Sequence, residues 1–457
     1  DDMVRLWAAK RSRNALRLTY LESKNVLNDL GIALPPSMRT LNAAMDWAPK
    51  AVHGLAQRVV WEGITAPGAS DDPFELRGLL RDNLFPLEFG QAVVDSMGQS
   101  VAFVSTSPGA VGEPDVLIQF HSALWATGLW DRRRRTLSFG LVITEADANG
   151  SPLEFVVLTR SEFLTCVKGG RDSWFLADAV SHSLGRVPME PLPFRPSLSR
   201  PFGRSRISRP VMDIVDRAVS NAVRMEVSSE LNASPKLLLL GADKSAFKDA
   251  NGDDIPLWSW YLSRLNAIGK DADGDVPEVE RITGASPEPY LALHRQLVQD
   301  FAGATGIPPA SLGVVSENPS SSQAIREVRE DLIVEAEAAD DTYEVFLNRI
   351  YQNAVMLRDG IGPDRMTPDL RDVSTKWRNP LRPSIASQSD AMVKQISAIP
   401  WLAESEVALE ELGYSPEQIT RLLADKRRAQ SREALAGLAA AVSRVEGASG
   451  DDESEVA

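Results

Sequence analysis

The stretch Phe202-Gly-Arg-Ser-Arg-Ile-Ser-Arg-Pro-Val-Met-Asp-Ile-Val-Asp-Arg-Ala218 runs on to Glu230 and then into Ser234-Pro-Lys-Leu-Leu-Leu-Leu-Gly241. Its apolar residues fall at Ile207, Val211, Ile214, Ala218, Ala222 and Met225, with Val215, Val219 and Val223 widening the stripe. That spacing is helical, with one broad face to bury. Pro210 sits in the first turn, where its missing N–H costs little. The pattern predicts a helix over 205–233, about 45 Å long at 1.5 Å per residue. A rod of that length suits a ring or a channel wall better than a catalytic pocket.

Upstream lies a Pro/Arg-rich connector, Pro188 to Pro210, which marks a boundary. Before it the period is two. Leu137, Phe139, Leu141 and Ile143 alternate with Ser138, Gly140, Val142 and Thr144, and the turn Asp147-Ala-Asn-Gly150 leads into Leu153, Phe155 and Val157. Alternation around Asn-Gly predicts a hairpin. With Val116–Trp125 before it and Phe163–Val167 and Trp174–Ala177 after it, the segment reads as an antiparallel meander. Residues 1 to about 65 read as helical, with one stripe at Leu16, Tyr20 and Leu21 and another at Met45, Val52, Leu55, Ala56 and Val59. Arg11, Arg13 and Arg17 flank the first stripe.

Downstream, a Gly/Asp-rich segment (241–289) precedes a helix over about 289–304. A loop, Gly306–Pro319, separates it from a longer helix over about 321–357, with apolar positions Ile325, Val328, Leu332, Ala336, Ala339, Tyr343, Phe346 and Ile350. Between Ala324 and Glu344 that helix carries eight acids and two bases. In the C-terminal region Ser415, Pro416 and Gln418 form a capping box, opening a helix past Lys426-Arg-Arg428 to Val445. The fold class is α+β.

The 457 residues allow two or more domains with a proper core. A net charge of -14 gives no global argument for nucleic-acid binding, although five acids without a base stand after Val445, and the rest of the chain is nearer -9. That tail reads as disordered. Cys166 is the single cysteine, so no intrachain disulfide is possible and the simplest origin is cytosolic; it reads as a core thiol. No apolar run approaches a bilayer span, and Asp-Asp-Met-Val-Arg-Leu-Trp is no signal peptide, so membrane insertion is not expected.

No catalytic constellation stands out. His53, His121, His182 and His294 lie in different elements without a metal-ligand partner at i+4 and read as structural, so no metal or cofactor is expected. No phosphate-cradling Gly-x-x-x-x-Gly-Lys loop is present, so this chain would not itself hydrolyse ATP. Two Asp-rich turns, Asp249-Ala-Asn-Gly-Asp-Asp254 and Asp271-Ala-Asp-Gly-Asp275, lack the Gly and Glu positions of an EF-hand; solvated turns and cation binding stay open. Arg132–Arg135 is either a phosphate contact or a charged turn that keeps strand edges apart, and the turn is favoured.

The opening stretch resembles the corresponding part of portal proteins of tailed bacteriophages, the siphophage type infecting actinobacteria. A second block agrees: Asp300-Phe-Ala-Gly-Ala-Thr-Gly-Ile-Pro-Pro-Ala-Ser-Leu-Gly313 followed by Asn318-Pro-Ser-Ser-Ser-Gln-Ala-Ile325. A weaker third runs from Ser389-Asp-Ala391 through Pro400-Trp-Leu-Ala403 to Gly413-Tyr-Ser-Pro-Glu-Gln418. The blocks stand in the family's order from about residue 200 onward.

The resemblance implies a ring of twelve copies around a channel. In it, 1–204 with 358–384 would be an α/β wing containing the meander, 205–234 and 289–305 the long stem helices, and 235–288 a small clip insert. The stretch 306–320 would hold the tunnel loop, 321–357 the long helix behind the channel, 385–446 a helical crown, and 447–457 the disordered acidic tail. Such a ring would sit at one capsid vertex, assembled in the host bacterial cytoplasm. It would pass double-stranded DNA without sequence preference in packaging and ejection. Its partners would be the terminase large subunit, major capsid and scaffold proteins, and a head–tail adaptor. Lys244, Lys248, Asp253 and Asp254 would face motor and adaptor. Ser316, Glu317, Asn318, Ser320, Ser321, Ser322 and Gln323 would line the constriction.

Physical chemistry agrees with that last assignment. Every phosphate neutralised by Lys or Arg deepens a binding well through counterion release, and a pore in which DNA slides must avoid such wells. Gly306–Gln323 contains no Lys or Arg. Without the resemblance the same residues form an exposed helix–helix loop with an N-cap. The reading from a different class is a cytosolic helical scaffold or adaptor that oligomerises without touching DNA. A packaging nuclease or ATPase is disfavoured by the missing phosphate loop.

Overall fold

Trp61-Glu-Gly-Ile-Thr65 does not continue the helical N-terminus; it is a strand, β1, paired antiparallel with Ser374–Trp377 (β12), with Trp61 opposite Trp377. The helical expectation for residues 1–65 therefore holds for α1 (Asp2–Leu21) and α2 (Trp47–Ala56) only. The partner that makes β1 a strand lies far along the chain, where local periodicity cannot see it. Within α1 the buried side chains are Trp7, Asn14 and Tyr20, while Leu16 is exposed. The computed structural model describes residues 1–25, 43–67, 72–170, 173–233, 236–240, 278–282, 286–314, 322–381, 385–414 and 416–450. It divides into two units, Asp1–Pro380 and Leu381–Ala457.

In the first unit α3 (Leu76–Asp82) and α4 (Phe85–Gln99) lead into β2 (Val101–Pro108). β2 is the centre of a three-stranded antiparallel sheet, flanked by β3 (Val116–Ser122) and β9 (Met189–Pro193). β4 (Ala126–Asp131), β5 (Thr136–Ala146), β6 (Pro152–Leu158), β7 (Glu162–Lys168) and β8 (Trp174–Ser181) form a sequential antiparallel meander. The expected meander is present, but Val116–Ser122 belongs to the other sheet.

Alternation along β5 breaks at Ser138, where Leu129 pairs with Phe139 but Trp130 pairs with Leu137. The extra residue flips the parity of what precedes it. Leu137 therefore joins Val142 on one face, Leu141 and Ile143 take the other, and Phe139 is exposed. The four residues expected on one face are split by this bulge. The turn after β5 is as the Asn-Gly signal predicts: Gly150, at φ +72°, donates to Asp147 O at 2.8 Å.

These faces stack into layers. Ala102 and Val104 of β2 pack with Phe85 and Phe89 of α4, whereas Val101 and Phe103 meet Ala126, Leu137, Val142 and Leu158 of the meander. The meander's far face, Leu141, Ile143 and Phe155, is covered by Trp7 of α1.

α5 spans Arg209–Ala233 and β10 follows at Lys236–Leu240, antiparallel to β11 (Glu278–Ile282). α6 (Glu288–Thr305) and α7 (Ser322–Arg358) come next. At 37 residues α7 is about 55 Å long; its buried row, Leu332, Ala336, Ala339, Tyr343, Leu347 and Ile350, closes the core over α4. The short α8 (Pro368–Arg371) precedes β12. In the second unit α9 (Ile385–Ala398) and α10 (Glu406–Glu411) are followed by α11 (Pro416–Gly450). α11 continues past Val445, propagated by the Ala-rich run 434–441, so residues 447–450, expected to be disordered, are helical. Residues 451–457 and the capping Ser415 lie outside the described residues.

Candidate functional site

The expected rod begins four residues late, and the reason is chemical. Arg206 is buried: its Nε donates to Ala51 O at 2.5 Å, one Nη donates to Thr305 O, and the other pairs with Glu335 of α7. Its own N–H donates to Met97 O at 2.8 Å, while Ser205 Oγ accepts from the N–H of Ile207. These bonds hold 205–208 in a non-helical entry, and Pro210 then starts α5. One guanidinium thus ties α2, the end of α6 and α7 to the root of α5. Burial opposes its charge and lowers its pKa, while Glu335 acts in the opposite direction.

α5 and α6 run antiparallel. Arg206 meets Thr305 at one end, Asn221 Nδ2 donates to Tyr290 O at 2.9 Å midway, and Lys236 pairs with Ile282 at the other end. α5 buries Val211, Ile214, Val215, Ala218, Val219, Val223 and Val227. The return through α6 ends at Gly306, whose φ of +68° permits an αL cap. Ile307 is buried, a 3-10 turn at Pro309–Leu312 follows, and Gly313 has φ +90°. The segment that leaves this anchored turn and re-enters as α7 is the one read as the tunnel loop.

The electrostatics of α7 are strained. Burial, then the carboxylates of Asp341, Glu337 and Glu344, push Asp340 up to about 8. At neutral pH it holds its proton. Glu190 of β9 is also buried and is raised to about 7, although Arg349 of α7 lies 3.3 Å away; loss of hydration outweighs the attraction. Arg186 braces the same corner, donating to Asn353 Oδ1 at 2.6 Å.

Two portal proteins from mycobacteriophages align with this chain along most of its length. That of phage D29 is 24% identical over 424 residues, covering 91% of this chain and 85% of its own. That of phage L5 is 24% identical over 459 residues, covering 96% and 89%. The chain is thus similar to mycobacteriophage portal proteins. No family model matches it. Among solved structures, a chain from the neck of a native GTA particle computed with C12 symmetry aligns over 88% of this chain and 99% of its own at 16% identity, with a TM-score of 0.44. A second, from an empty GTA particle computed with C6 symmetry, has 15% identity and the same TM-score, over 86% and 98%.

In this chain Ser316, Glu317, Asn318, Ser320 and Ser321 lie outside the described residues; Ser322 and Gln323 open α7. Lys244, Lys248, Asp253, Asp254 and both Asp-rich turns also lie outside them. Arg132–Arg135 forms the β4–β5 turn, with Asp131 Oδ1 accepting from the N–H groups of Arg133 and Arg134. Cys166 stands in β7, half-buried beside Phe155, its thiol pKa raised by burial. His121 accepts or donates to Ser105 Oγ at 2.7 Å and is pushed down to about 4 by burial. His294 lies against Trp47. Among the described residues no three His, Cys, Asp or Glu side chains gather as a metal site, and no helix is long and apolar enough to cross a membrane. Sequence reasoning missed Arg206. The available signal was a charged residue between Ser205 and Ile207 at the foot of a strong helical stripe.

Proposed function

We propose that this chain is the subunit of a non-enzymatic, ring-shaped portal of twelve copies at one capsid vertex, through which double-stranded DNA enters during packaging and leaves during ejection. The observation that carries this reading is the alignment with two phage portal proteins over nine-tenths of the chain. The antiparallel α5–α6 pair supports it: two long helices rooted in one buried guanidinium make a stiff strut, and a ring built from such struts has a wall. The β10–β11 end would be the clip that meets the terminase motor and later the head–tail adaptor, and Leu381 onward the crown. The segment between Gly313 and α7 would touch DNA at the constriction.

The test is the mass of the purified full chain with negative-stain images of the same sample. Twelve copies at 49.9 kDa give a particle of about 600 kDa with a central hole. A chain that stays monomeric or dimeric when mixed with its capsid and scaffold proteins would instead point to the helical adaptor.

A further inference from the structure

Between α1 and the segment that leads into α5 lies a cleft of about 760 Å³. Lys10, Arg13 and Arg17 line it from α1, one helical turn apart, and Arg200, Arg204 and Arg209 face them. No carboxylate lines it, in a chain whose net charge is -14. None of the six cations has an ion-pair partner among the described residues. Lys10 Nζ has only Thr127 Oγ1 at 3.2 Å and the face of Phe202 at 5.1 Å, and Arg17 donates to Gln99 O at 2.8 Å. Burial and the neighbouring Arg13 charge lower the pKa of Lys10, and that of Arg17 to about 10. Lys10 and Arg17 are half-buried and the other four exposed; like charges gathered without counter-ions are costly where burial strips their hydration, and an anion from outside would relieve them.

The same molecule carries the converse defect. On the face of α7 turned away from its buried row, Glu330, Asp331, Glu337 and Asp341 are exposed, and none of the four has an ion-pair partner among the described residues. Like charges three and four residues apart on a helix repel. Val334 stands among them and Val345 one turn beyond, 58% and 53% exposed, on a surface where large apolar side chains gain by being covered. α1 lies over the far face of the meander through Trp7, whereas α7 packs over α4 and the three-stranded sheet. The two faces therefore sit on different layers.

We infer that the basic cleft receives the acidic outer face of α7 from a second copy of this chain. Cleft and face are then the two unlike halves of one head-to-tail contact, which is what a closed cyclic assembly requires. The spacing fits, since cations at 10, 13 and 17 and carboxylates at 330, 337 and 341 both recur at one-turn and two-turn intervals. The inference rests on the ring reading but names a contact that reading leaves open.

The experiment uses charge reversal in the full chain, at exposed positions that support no other element. One variant carries Arg13→Glu, Arg204→Glu and Arg209→Glu; another carries Glu330→Lys, Glu337→Lys and Asp341→Lys. Each alone raises the concentration for half-assembly about tenfold or more, with an unchanged circular dichroism spectrum. Mixed one to one they assemble again, alternating around the ring, and a chain carrying all six changes also assembles. If a reversal unfolds the chain, the neutral versions Arg13→Gln with Arg204→Gln, and Glu337→Gln with Asp341→Gln, give the same ordering at rising salt. Three results overturn the contact: reversed variants that close rings like the parent, a mixture of folded variants that stays dispersed, or a cleft variant that assembles normally but loses binding of a fluorescent oligonucleotide. A parent ring with any of these keeps the ring reading and loses only the contact. A parent that is monomeric at every concentration removes both.

Discussion

Asp340 is the residue at which α7 can be tuned. The residue is 5% exposed, one of its carboxyl oxygens has no hydrogen-bond partner among the described residues, and its pKa in the fold is raised to about 8. An acid whose folded pKa exceeds its unfolded value contributes stability fully below the unfolded value and loses it as pH rises through the folded one. The melting temperature should therefore fall between about pH 4 and pH 8, and Asp340→Asn should flatten that slope and raise the melting temperature by several degrees at pH 8. Equal slopes in the two proteins would show that Asp340 is ionised in the fold. Arg206 makes the opposite case. Replacing it with Met keeps the volume but strands two backbone carbonyls and leaves Glu335 with Arg195 alone, at a cost of about 3 kcal/mol. Urea unfolding should show that loss, and Arg206→Lys should recover only part of it, because one ammonium cannot serve three acceptors in a fork.

At the scale of elements, the meander shows what a period can and cannot say. Alternation and Asn149-Gly150 were enough to place β5, β6 and their turn. They could not place the bulge at Ser138, because an inserted residue leaves composition unchanged and shows only in the partner strand's register. Deleting Ser138 should regularise the pairing, with Leu137 still opposite Trp130 and on the packed face beside Val142, so limited proteolysis should leave residues 126–181 as resistant as in the parent. Ser138→Ala, which loses only one exposed bond to Leu129 O at 3.0 Å, should cost less than about 1 kcal/mol. The helices α5, α6 and α7 were legible within a few residues, since each buries a long one-sided stripe. β1 was not, because its strand character depends on β12. The basic cleft escaped for a related reason: Lys10, Arg13 and Arg17 read as a solvated helix face until Arg200, Arg204 and Arg209 are folded opposite them.

If the chain forms the proposed portal, the decisive quantity for the whole molecule is how DNA would pass. The segment from Gly306 to Gln323 has no cation, so its contact with phosphates should be shallow and nearly independent of salt. Ser316→Lys together with Asn318→Lys would place two charges per subunit at the constriction. Packaging into purified proheads should then slow or stall, and relief by added salt should follow. Packaging and ejection at the parental rate would remove these residues from the channel wall.

The pairing of β1 with β12 also sets a clock. Thr65 and Ser374 are 309 residues apart, so at about 5–20 residues per second the ribosome takes roughly 15–60 s to make the second strand after the first has emerged. Throughout that interval the edge of β1 has nothing to pair with. The first unit cannot close this pair until Trp377 has been made, and a chain cut short of it is left with an open strand edge. Synthesis through Trp377 thus becomes a condition for closing the first unit.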